Sequence, residues 1–439
     1  MKYHIFFAVT IALLSITPGA LANQESPPAL SLADCLKIAM EKNTGLGLAA
    51  RERNKAELQV TEAIGKALPD LDLSATYTRA GKNPEVEFFG TKFKLMPDSS
   101  YQAQASLSQY IYSGAVASGY RASKLYLDAA SGMETATRQG LAARVKTGFY
   151  AIIFTREVIT TVEEAVMRLE SHLKDSRDRE AVGLNTTYDS LRLETRLAEE
   201  KHKLLEAKNA HDRARLELLG ALGLDPMSQI QFAGHLEDQL MAPYPVSLEE
   251  AATAALERRP ELAAAKARLS AAREVLKAVK SQQYPTLRAF GNYRVANNVG
   301  IGDSDKLFDQ WSAGLTLEMN IFDGRERASR IGQRLEETEM ELMRLEELER
   351  NVKIEVRTAY EELARAEEFS RSQKKNMEFA KETYRIATVN YQEGVLSQLE
   401  LMDAQMALTV AGINQQKALF EHASARARLE WAVGEVEQK

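Results

Sequence analysis

The strongest constraint in this sequence is an internal repeat that covers most of the chain. Residues Ser31–Tyr77 align without a gap with Ser247–Tyr293, at a constant shift of 216 positions. Further along, Gly114 matches Gly324 at a shift of 210, because the first half has a longer loop before this point. Two long copies are typical of a duplicated domain rather than of a solenoid built from many short repeats. The fold must therefore build one object from two similar parts.

The amino terminus predicts a secretory signal over residues 1–22. A basic start at Lys2 precedes an apolar run, Ile5–Ile16, and Ala20–Ala22 fits the small-x-small cleavage rule. The apolar run is shorter than the roughly 20 residues that a spanning helix needs, which argues against a membrane anchor. Since no later run reaches that length, any membrane contact of the mature chain is not expected to be helical.

Charge and cysteine content narrow the class of protein. The formal net charge is −6 and no basic patch is present, which argues against nucleic acid as a partner. The single cysteine, Cys35, cannot form a disulfide within the chain, and its helical surroundings predict a small buried side chain. An exported chain without disulfides is expected to be stabilised by long helices or by oligomerisation.

Two long stretches of the chain contain no proline. None of the 11 prolines lies between Pro97 and Pro226, and none follows Pro285. Both stretches are rich in strong helix formers. Each is interrupted by a glycine, Gly183 or Gly394, of the kind that ends a helix in a tight turn. Each half is therefore predicted to contain one long antiparallel helical hairpin. The two predicted hairpins span residues 115–223 and 324–434, to within a few positions.

Between the predicted helices lie four segments with a period of two residues. In the clearest one, Trp311 and Leu315 lie on one face and Glu318 lies on the other. Arg288 and Arg294 also lie on a polar face, which favours a wet lumen over a dry sandwich. Four strands cannot close a barrel with a lumen, so they form either a soluble sheet or part of a larger barrel in lipid. The four predicted strands span residues 71–80, 101–112, 286–296 and 310–322.

Together these features resemble the outer-membrane efflux duct family typified by TolC, over nearly the whole mature chain. The most specific features are two turn sequences: Val182-Gly183-Leu184 with Asp189, and Tyr391-x-x-Gly394 with Leu399, Met402, Asp403 and Ala404. The resemblance implies a mainly α fold with β. Long helical hairpins would form a periplasmic α-barrel, and four strands per chain would contribute to a trimeric, twelve-stranded β-barrel in the outer membrane.

The implied domain organisation follows the duplication. A signal peptide would be followed by the first efflux repeat, an equatorial linker and the second repeat. These four parts would span residues 1–22, 23–224, 225–246 and 247–439.

The resemblance implies a passive duct rather than an enzyme, with no cofactor. The homotrimer would lie in outer-membrane lipid with a long periplasmic portion. A periplasmic adaptor protein would couple it to an inner-membrane pump, in a tripartite efflux or type I secretion system. The hairpin tips that contact the adaptor would be Val182, Gly183, Leu184, Gly394 and Val395.

The same resemblance places acidic rings at the periplasmic aperture on Glu400 and Asp403. Three copies would gather six carboxylates around a narrow mouth, which would attract cations and raise some pKa values in the ring. The alternative is that both are solvated charges on a helix face. Tyr391 and Asp189 match a pair that links the two hairpins in the closed state. Leu396 stands where the best-studied family member has a latching arginine, so looser closure is expected.

Two other interpretations stay open. A periplasmic adaptor would carry one helical hairpin flanked by glycine-rich β domains, and a soluble coiled-coil scaffold would need neither a signal peptide nor strands. Neither accounts for two hairpins with duplicated strand pairs. The Gly300–Gly302 segment lies between two predicted strands rather than before a helix, so it is not interpreted as a dinucleotide-binding motif. The histidines show no metal-ligand spacing, and no metal site is predicted.

Overall fold

The fold is taken from a computed structural model of the chain. The predicted signal peptide, the glycine-rich segment 300–302 and part of the predicted linker lie outside the described residues. No helix within the described ranges is long and apolar enough to cross a membrane. The structure describes residues 29–81, 85–94, 98–236, 244–297 and 307–435.

The four helices and two long strands of each half follow the same order, as the repeat predicts, and the first half has four additional short strands. The first half contains β1 (Ala29–Leu30), α1 (Leu32–Lys42), α2 (Thr44–Gly65), β2 (Asp70–Arg79), β3 (Glu85–Phe88), β4 (Thr91–Lys94), β5 (Ser99–Tyr112), α3 (Gly114–Ala181), α4 (Thr187–Leu222) and β6 (Gln231–Phe232). The second half contains α5 (Leu248–Arg258), α6 (Pro260–Ser281), β7 (Thr286–Asn297), β8 (Leu307–Glu318), α7 (Glu326–Gln392) and α8 (Gln398–Val433). The helix lengths match between halves: 22 residues for α2 and α6, and 36 for α4 and α8.

Each long helix runs beside two shorter helices that lie end to end. Helix α3 has 68 residues, which corresponds to about 100 Å at 1.5 Å per residue. Both α2 and α4 pack along it. Asn43, the N-cap of α2, donates from Nδ2 to the carbonyl of Ala221 near the end of α4, at 2.8 Å. Helices α6 and α8 both pack between α3 and α7. The helical layer is therefore ordered α2/α4, α3, α6/α8, α7.

The four long strands form one antiparallel sheet in the order β2-β5-β7-β8. The register separates an apolar face from a polar face, as the predicted alternation requires. One cross-strand row consists of Leu73, Ala105, Tyr293 and Trp311, and the next consists of Ser74, Gln104, Arg294 and Gln310. Among the described strands, β2 and β8 each have a neighbour on only one side.

The fourth long strand is shorter at its end than the sequence predicts. It ends at Glu318 rather than at residue 322. The carbonyl of Asn320 accepts a hydrogen bond from Arg327 of α7 at 3.1 Å, so it serves the start of the helix rather than the sheet.

The segment 81–100 contains a small hairpin, β3–β4, that the sequence analysis does not predict. Its strands pair in an antiparallel register. Phe89 and Gly90 form its turn with φ angles of 53° and 77°. Two consecutive positive φ angles are typical of the turns that match the twist of paired strands.

The two largest apolar cores lie where the short helices α1 and α5 pack against the hairpins. The first core includes Phe149, Ile153 and Leu219, and the second includes Leu262, Val356 and Leu429. Cys35 lies fully buried in the first core, as predicted. Burial raises the pKa of its thiol to about 12, so the thiolate needed for reactivity is scarce.

The junction between α5 and α6 contains a buried arginine. The side chain of Arg259 is only 4% exposed, and its guanidinium lies 4.7 Å from the ring of Trp431 in α8. It donates to Glu261 at 2.6 Å and also to Glu355 of α7. One side chain thus joins α6, α7 and α8. The equivalent residue of the first half, at the shift of 216, is Asn43.

We expect Arg259→Met to lower the free energy of unfolding by about 2 kcal/mol, because it removes the cation from two carboxylates at a desolvated junction. Thermal unfolding in detergent measures the loss. Arg268→Met is the matched control, since Arg268 is exposed on the same helix and surface substitutions usually change stability little. Equal losses in both variants would contradict a specific role for Arg259.

Candidate functional site at the two hairpin turns

The two hairpin turns are built in the same way. Each long helix is followed by a glycine with a left-handed backbone, Gly183 with φ 78° and Gly394 with φ 74°. Glycine adopts this conformation without the penalty that a Cβ atom brings. The amide of Leu184 donates to the carbonyl of Arg179 at 2.9 Å, and the amide of Val395 closes the second turn in the same manner.

The residues predicted to contact an adaptor are apolar and exposed at these turns. Val182, Leu184 and Val395 expose 69%, 76% and 71% of their surface. Apolar side chains gathered at an exposed turn are typical of a surface that binds another protein. The structure thus leaves these side chains accessible, and contact with an adaptor stays a prediction.

Asp189 and Glu400 are equivalent residues at a shift of 211, and both stabilise the start of a helix. The Asp189 carboxylate accepts hydrogen bonds from the hydroxyl and the amide of Thr186, at 2.7 and 3.2 Å. Glu400 accepts the same two hydrogen bonds from Ser397, both at 2.8 Å. These bonds hold the pKa of Glu400 below its usual range, because they stabilise the charged form. The predicted rise caused by crowding would have to come from neighbouring copies.

Asp403 lies about one turn beyond Glu400 on α8, and its side chain is exposed. It borders an open groove between α8 and α4 that is also lined by Tyr188, Arg192 and Arg196. The two predicted aperture residues therefore share one end of α8. Within a single chain, two arginines line the same groove as Asp403, so the local field is mixed rather than purely acidic.

Tyr391 and Asp189, the predicted pair between hairpins, are not joined to each other in the structure. The Asp189 carboxylate is engaged by Thr186 at the start of α4. The ring of Tyr391 is 9% exposed, and the guanidinium of Arg179 lies 5.0 Å from its centre. Leu396 packs against the apolar cluster that contains Tyr391. The direct hydrogen bond is absent from the described contacts, where the Asp189 carboxylate is bound at its own helix start, and the gating role of the pair stays a prediction.

The interior of the first turn is polar, whereas that of the second is apolar. Glu180 accepts hydrogen bonds from Thr187 at 2.7 Å and from Ser190 at 2.6 Å. These bonds hold the pKa of the Glu180 carboxyl below its usual range. Tyr391 occupies the equivalent position of the second half at the shift of 211. The two copies therefore stabilise the same turn by different interactions.

Some of the side chains that connect the two hairpins are not predicted from the sequence, and His172, Arg179 and Gln398 are three of them. The Nε2 atom of His172 lies 3.2 Å from the hydroxyl of Tyr384 on α7. Gln398 Nε2 donates to the backbone carbonyl of Asp189 at 3.2 Å. The spacing of seven residues, which places His172 and Arg179 on one face of α3, is the sequence signal that could have identified these two.

Reactive groups do not converge at this site. Within the described ranges, no three His, Cys, Asp or Glu side chains lie close enough together to hold a metal ion. The arrangement is an exposed surface of two turns with charged helix starts.

Comparison with known proteins finds relatives along most of the chain. A family model described as "Outer membrane efflux protein" matches residues 35–224 and 251–435. These two matches lie one in each half of the duplication.

Curated relatives match the chain at low sequence identity. "Alkaline protease secretion protein AprF" of Pseudomonas aeruginosa is 21% identical over 419 residues, which cover 94% of this chain and 86% of that protein. "Protein CyaE" of Bordetella pertussis is 28% identical over 229 residues, which cover 50% of this chain and 46% of that protein. The CyaE match therefore spans less than half of that relative.

Solved structures share the fold at low sequence identity. The CmeC outer membrane channel of Campylobacter jejuni has a TM-score of 0.81 at 17% identity, covering 98% of this chain and 93% of that chain. The open state of the MtrE outer membrane channel of Neisseria gonorrhoeae has a TM-score of 0.78 at 19% identity, covering 92% and 88%. These likenesses show the architecture that the chain adopts.

Ser397→Ala should loosen the start of α8, because an N-cap hydroxyl is worth about 1 kcal/mol. We expect amide exchange in the first turn of α8 to become roughly fivefold faster, and the pKa of Glu400 to rise toward its usual value. Hydrogen-exchange mass spectrometry measures the first effect. Thr195→Ala, on the exposed surface of α4, is the control and should leave this exchange unchanged. Unaltered exchange in the Ser397 variant would contradict the cap.

Proposed function

The chain belongs to the outer membrane efflux protein family, and we propose that three copies of it form one passive duct from the periplasm through the outer membrane. Proteins of this family are outer-membrane channels with a periplasmic helical portion. The single observation that carries assembly is that, within the described residues, one chain leaves both its sheet and its helical layer with open edges; the number of three copies comes from the family resemblance.

The sheet supports this assembly through strand number. Four strands cannot enclose a lumen, whereas twelve strands can. Strand β8 of one copy would pair with β2 of the next, so that every backbone group at the two edges finds a partner. The apolar rows, such as the one with Trp311, would face lipid. The polar rows, such as the one with Gln104 and Arg294, would face the lumen.

The helical layer supports the same symmetry. At one edge, Leu58 of α2 and Leu205 of α4 are exposed, and at the other edge Met343, Ile354 and Phe379 of α7 are exposed. Apolar groups in water gain free energy when they are covered. The α2/α4 edge of one copy would pack on the α7 edge of the next, which closes a ring with cyclic symmetry.

The duct would carry no catalytic step of its own. Energy would come from an inner-membrane pump, and a periplasmic adaptor would dock on the exposed turns at Val182–Leu184 and Gly394–Val395. The apolar exposure of these turns is the observation in favour of such docking. The family match and the two outer-membrane channel structures favour a channel over a soluble scaffold or an adaptor.

Glu400 and Asp403 would form the acidic mouth of the closed duct. Three copies bring six carboxylates to the end of the tunnel, and like charges lining a narrow passage raise the local concentration of cations. The cap on Glu400 keeps its carboxylate charged to lower pH than usual, because its pKa is depressed. In the ring, crowding of like charges would raise this pKa, so the cap and the crowding act in opposite directions on Glu400.

We expect Asp403→Asn to lower the cation-over-anion permeability ratio by roughly twofold, since it removes three of the six charges. Reversal potentials across planar bilayers under a potassium chloride gradient measure this ratio. Asp212→Asn, which removes the same charge from the exposed surface of α4, is the control. A ratio that falls equally in both variants, or in neither, would argue that Asp403 is a solvated helix-face charge.

Assembly itself tests the proposed function. Cell fractionation should place the mature protein in the outer-membrane fraction. In gel electrophoresis of detergent extracts, unheated samples should migrate at the size of a trimer. Adding one lysine to the α7 edge, as Phe379→Lys, should dissociate the trimer because it places a charge in an apolar interface. Lys374→Glu serves as an exposed control on the same helix. Recovery of the unaltered protein as a soluble periplasmic monomer would overturn the proposal.

A further inference from the structure

Near the turns, two helices of different hairpins meet through paired side chains. His172 and Arg179 lie seven residues apart on α3, and Tyr384 and Tyr391 lie seven residues apart on α7. His172 Nε2 is 3.2 Å from the Tyr384 hydroxyl, and the Arg179 guanidinium is 5.0 Å from the centre of the Tyr391 ring. Both helices run toward their turns, so the two contacts are rungs about 10 Å apart on parallel helices.

We propose that these two rungs form a basic–aromatic clasp, which holds the two hairpins of one chain together and keeps the periplasmic end of the duct closed. This inference rests on the proposed function, because closure has a meaning only for a duct. The clasp is defined here as His172, Arg179, Tyr384 and Tyr391. In this clasp the cation comes from the first hairpin. The second hairpin carries Leu396 at the position where the best-studied family member has an arginine.

The surroundings of Arg179 favour a strong contact between its guanidinium and the Tyr391 ring. The Tyr391 ring is buried, and an attraction between a cation and an aromatic face is stronger when water is excluded. Arg179 is half-buried and also pairs with Asp175 at 3.2 Å, one turn back on α3. Its guanidinium is therefore held in orientation by a carboxylate before it meets the ring.

Two neutral hydrogen bonds also join the hairpins, in addition to an ion pair between Lys146 of α3 and Glu430 of α8 at 3.0 Å. Gln398 donates to the carbonyl of Asp189, and Gln405 donates to the carbonyl of Ala165, both at 3.2 Å. Amide side chains do not titrate, so these bonds give constant support over the physiological pH range. The His172 rung is the part of this contact that can respond to pH.

Acid should weaken the clasp through His172. Burial disfavours the imidazolium and lowers the pKa of His172; Arg168 lowers it further, and Asp175 opposes this. Those two charges lie on α3, and Tyr384 is the titratable group that faces His172 from α7. A separated clasp would hydrate the ring and restore a pKa near 6.5. Closure is therefore fully supported above about pH 6.5 and is lost as the pH falls through the lowered pKa.

Single-channel recordings of the intact trimer in planar bilayers test the clasp. The ratio of open to closed time should rise at least about fivefold in Arg179→Leu and in Tyr384→Phe at pH 7.5, because each of the three chains loses one contact. Tyr384→Phe removes only a hydroxyl and should fold normally. Arg177→Leu is the matched control, because Arg177 pairs with Glu194 inside the first hairpin. Identical ratios in the Arg179, Tyr384 and Arg177 variants would overturn the clasp.

The pH dependence provides the second readout. In the unaltered trimer the open fraction should rise between pH 7.5 and pH 5.5, and His172→Gln should remove most of this rise because glutamine does not titrate. His202→Gln, an exposed histidine on α4, should keep the full rise. An equal rise in both variants would exclude His172 as the sensor. A protein that forms trimers and conducts, yet ignores all of these changes, contradicts the clasp alone, whereas failure to form channels contradicts the proposed function.

Discussion

The outer strands β2 and β8 each carry a row of backbone N–H and C=O groups that no strand of the described chain pairs with. In water such an edge recruits another strand, and in lipid each unpaired group costs several kcal/mol. The helical layer has the same property, because its α2/α4 and α7 edges expose apolar side chains. The addition of further copies around an axis would pair the strand edges and would also cover the apolar side chains at the helical edges. Sheet and helices would therefore share one symmetry.

The two halves share the same order of helices and long strands, but the hydrogen bonds of equivalent polar side chains differ between them. His211 Nδ1 lies 2.9 Å from the hydroxyl of Thr155. The equivalent residues of the second half are His422 and Ala366, and the buried Nδ1 of His422 has no hydrogen-bond partner among the described residues. Burial lowers the pKa of both histidines. Helix lengths do not differ in this way, because shortening one helix would leave part of the neighbouring helix without a packing partner.

Local sequence patterns predicted most of the fold and part of the candidate site. Alternation predicted the long strands because side chains on a strand change face at every residue. Gly183 and Gly394 marked the turns because few other residues adopt a left-handed backbone. The sequence Ser397-x-x-Glu400 is also the signature of a capping box. The Asp189 carboxylate has the equivalent role at the start of α4, and among the described contacts no hydrogen bond joins it to Tyr391.

The sequence by itself determined the long helices, the approximate extent of the four long strands, the duplication and the positions of the turns, because these follow from patterns along the chain. Only the tertiary structure decided which faces of the long helices meet. His172 and Tyr384 are 212 positions apart in the chain. A straight helix of 3.6 residues per turn drifts about 20° per heptad, so over 68 residues periodicity alone cannot fix the rotation of α3 against α7. Packing fixes that rotation, and with it the contacts between the hairpins.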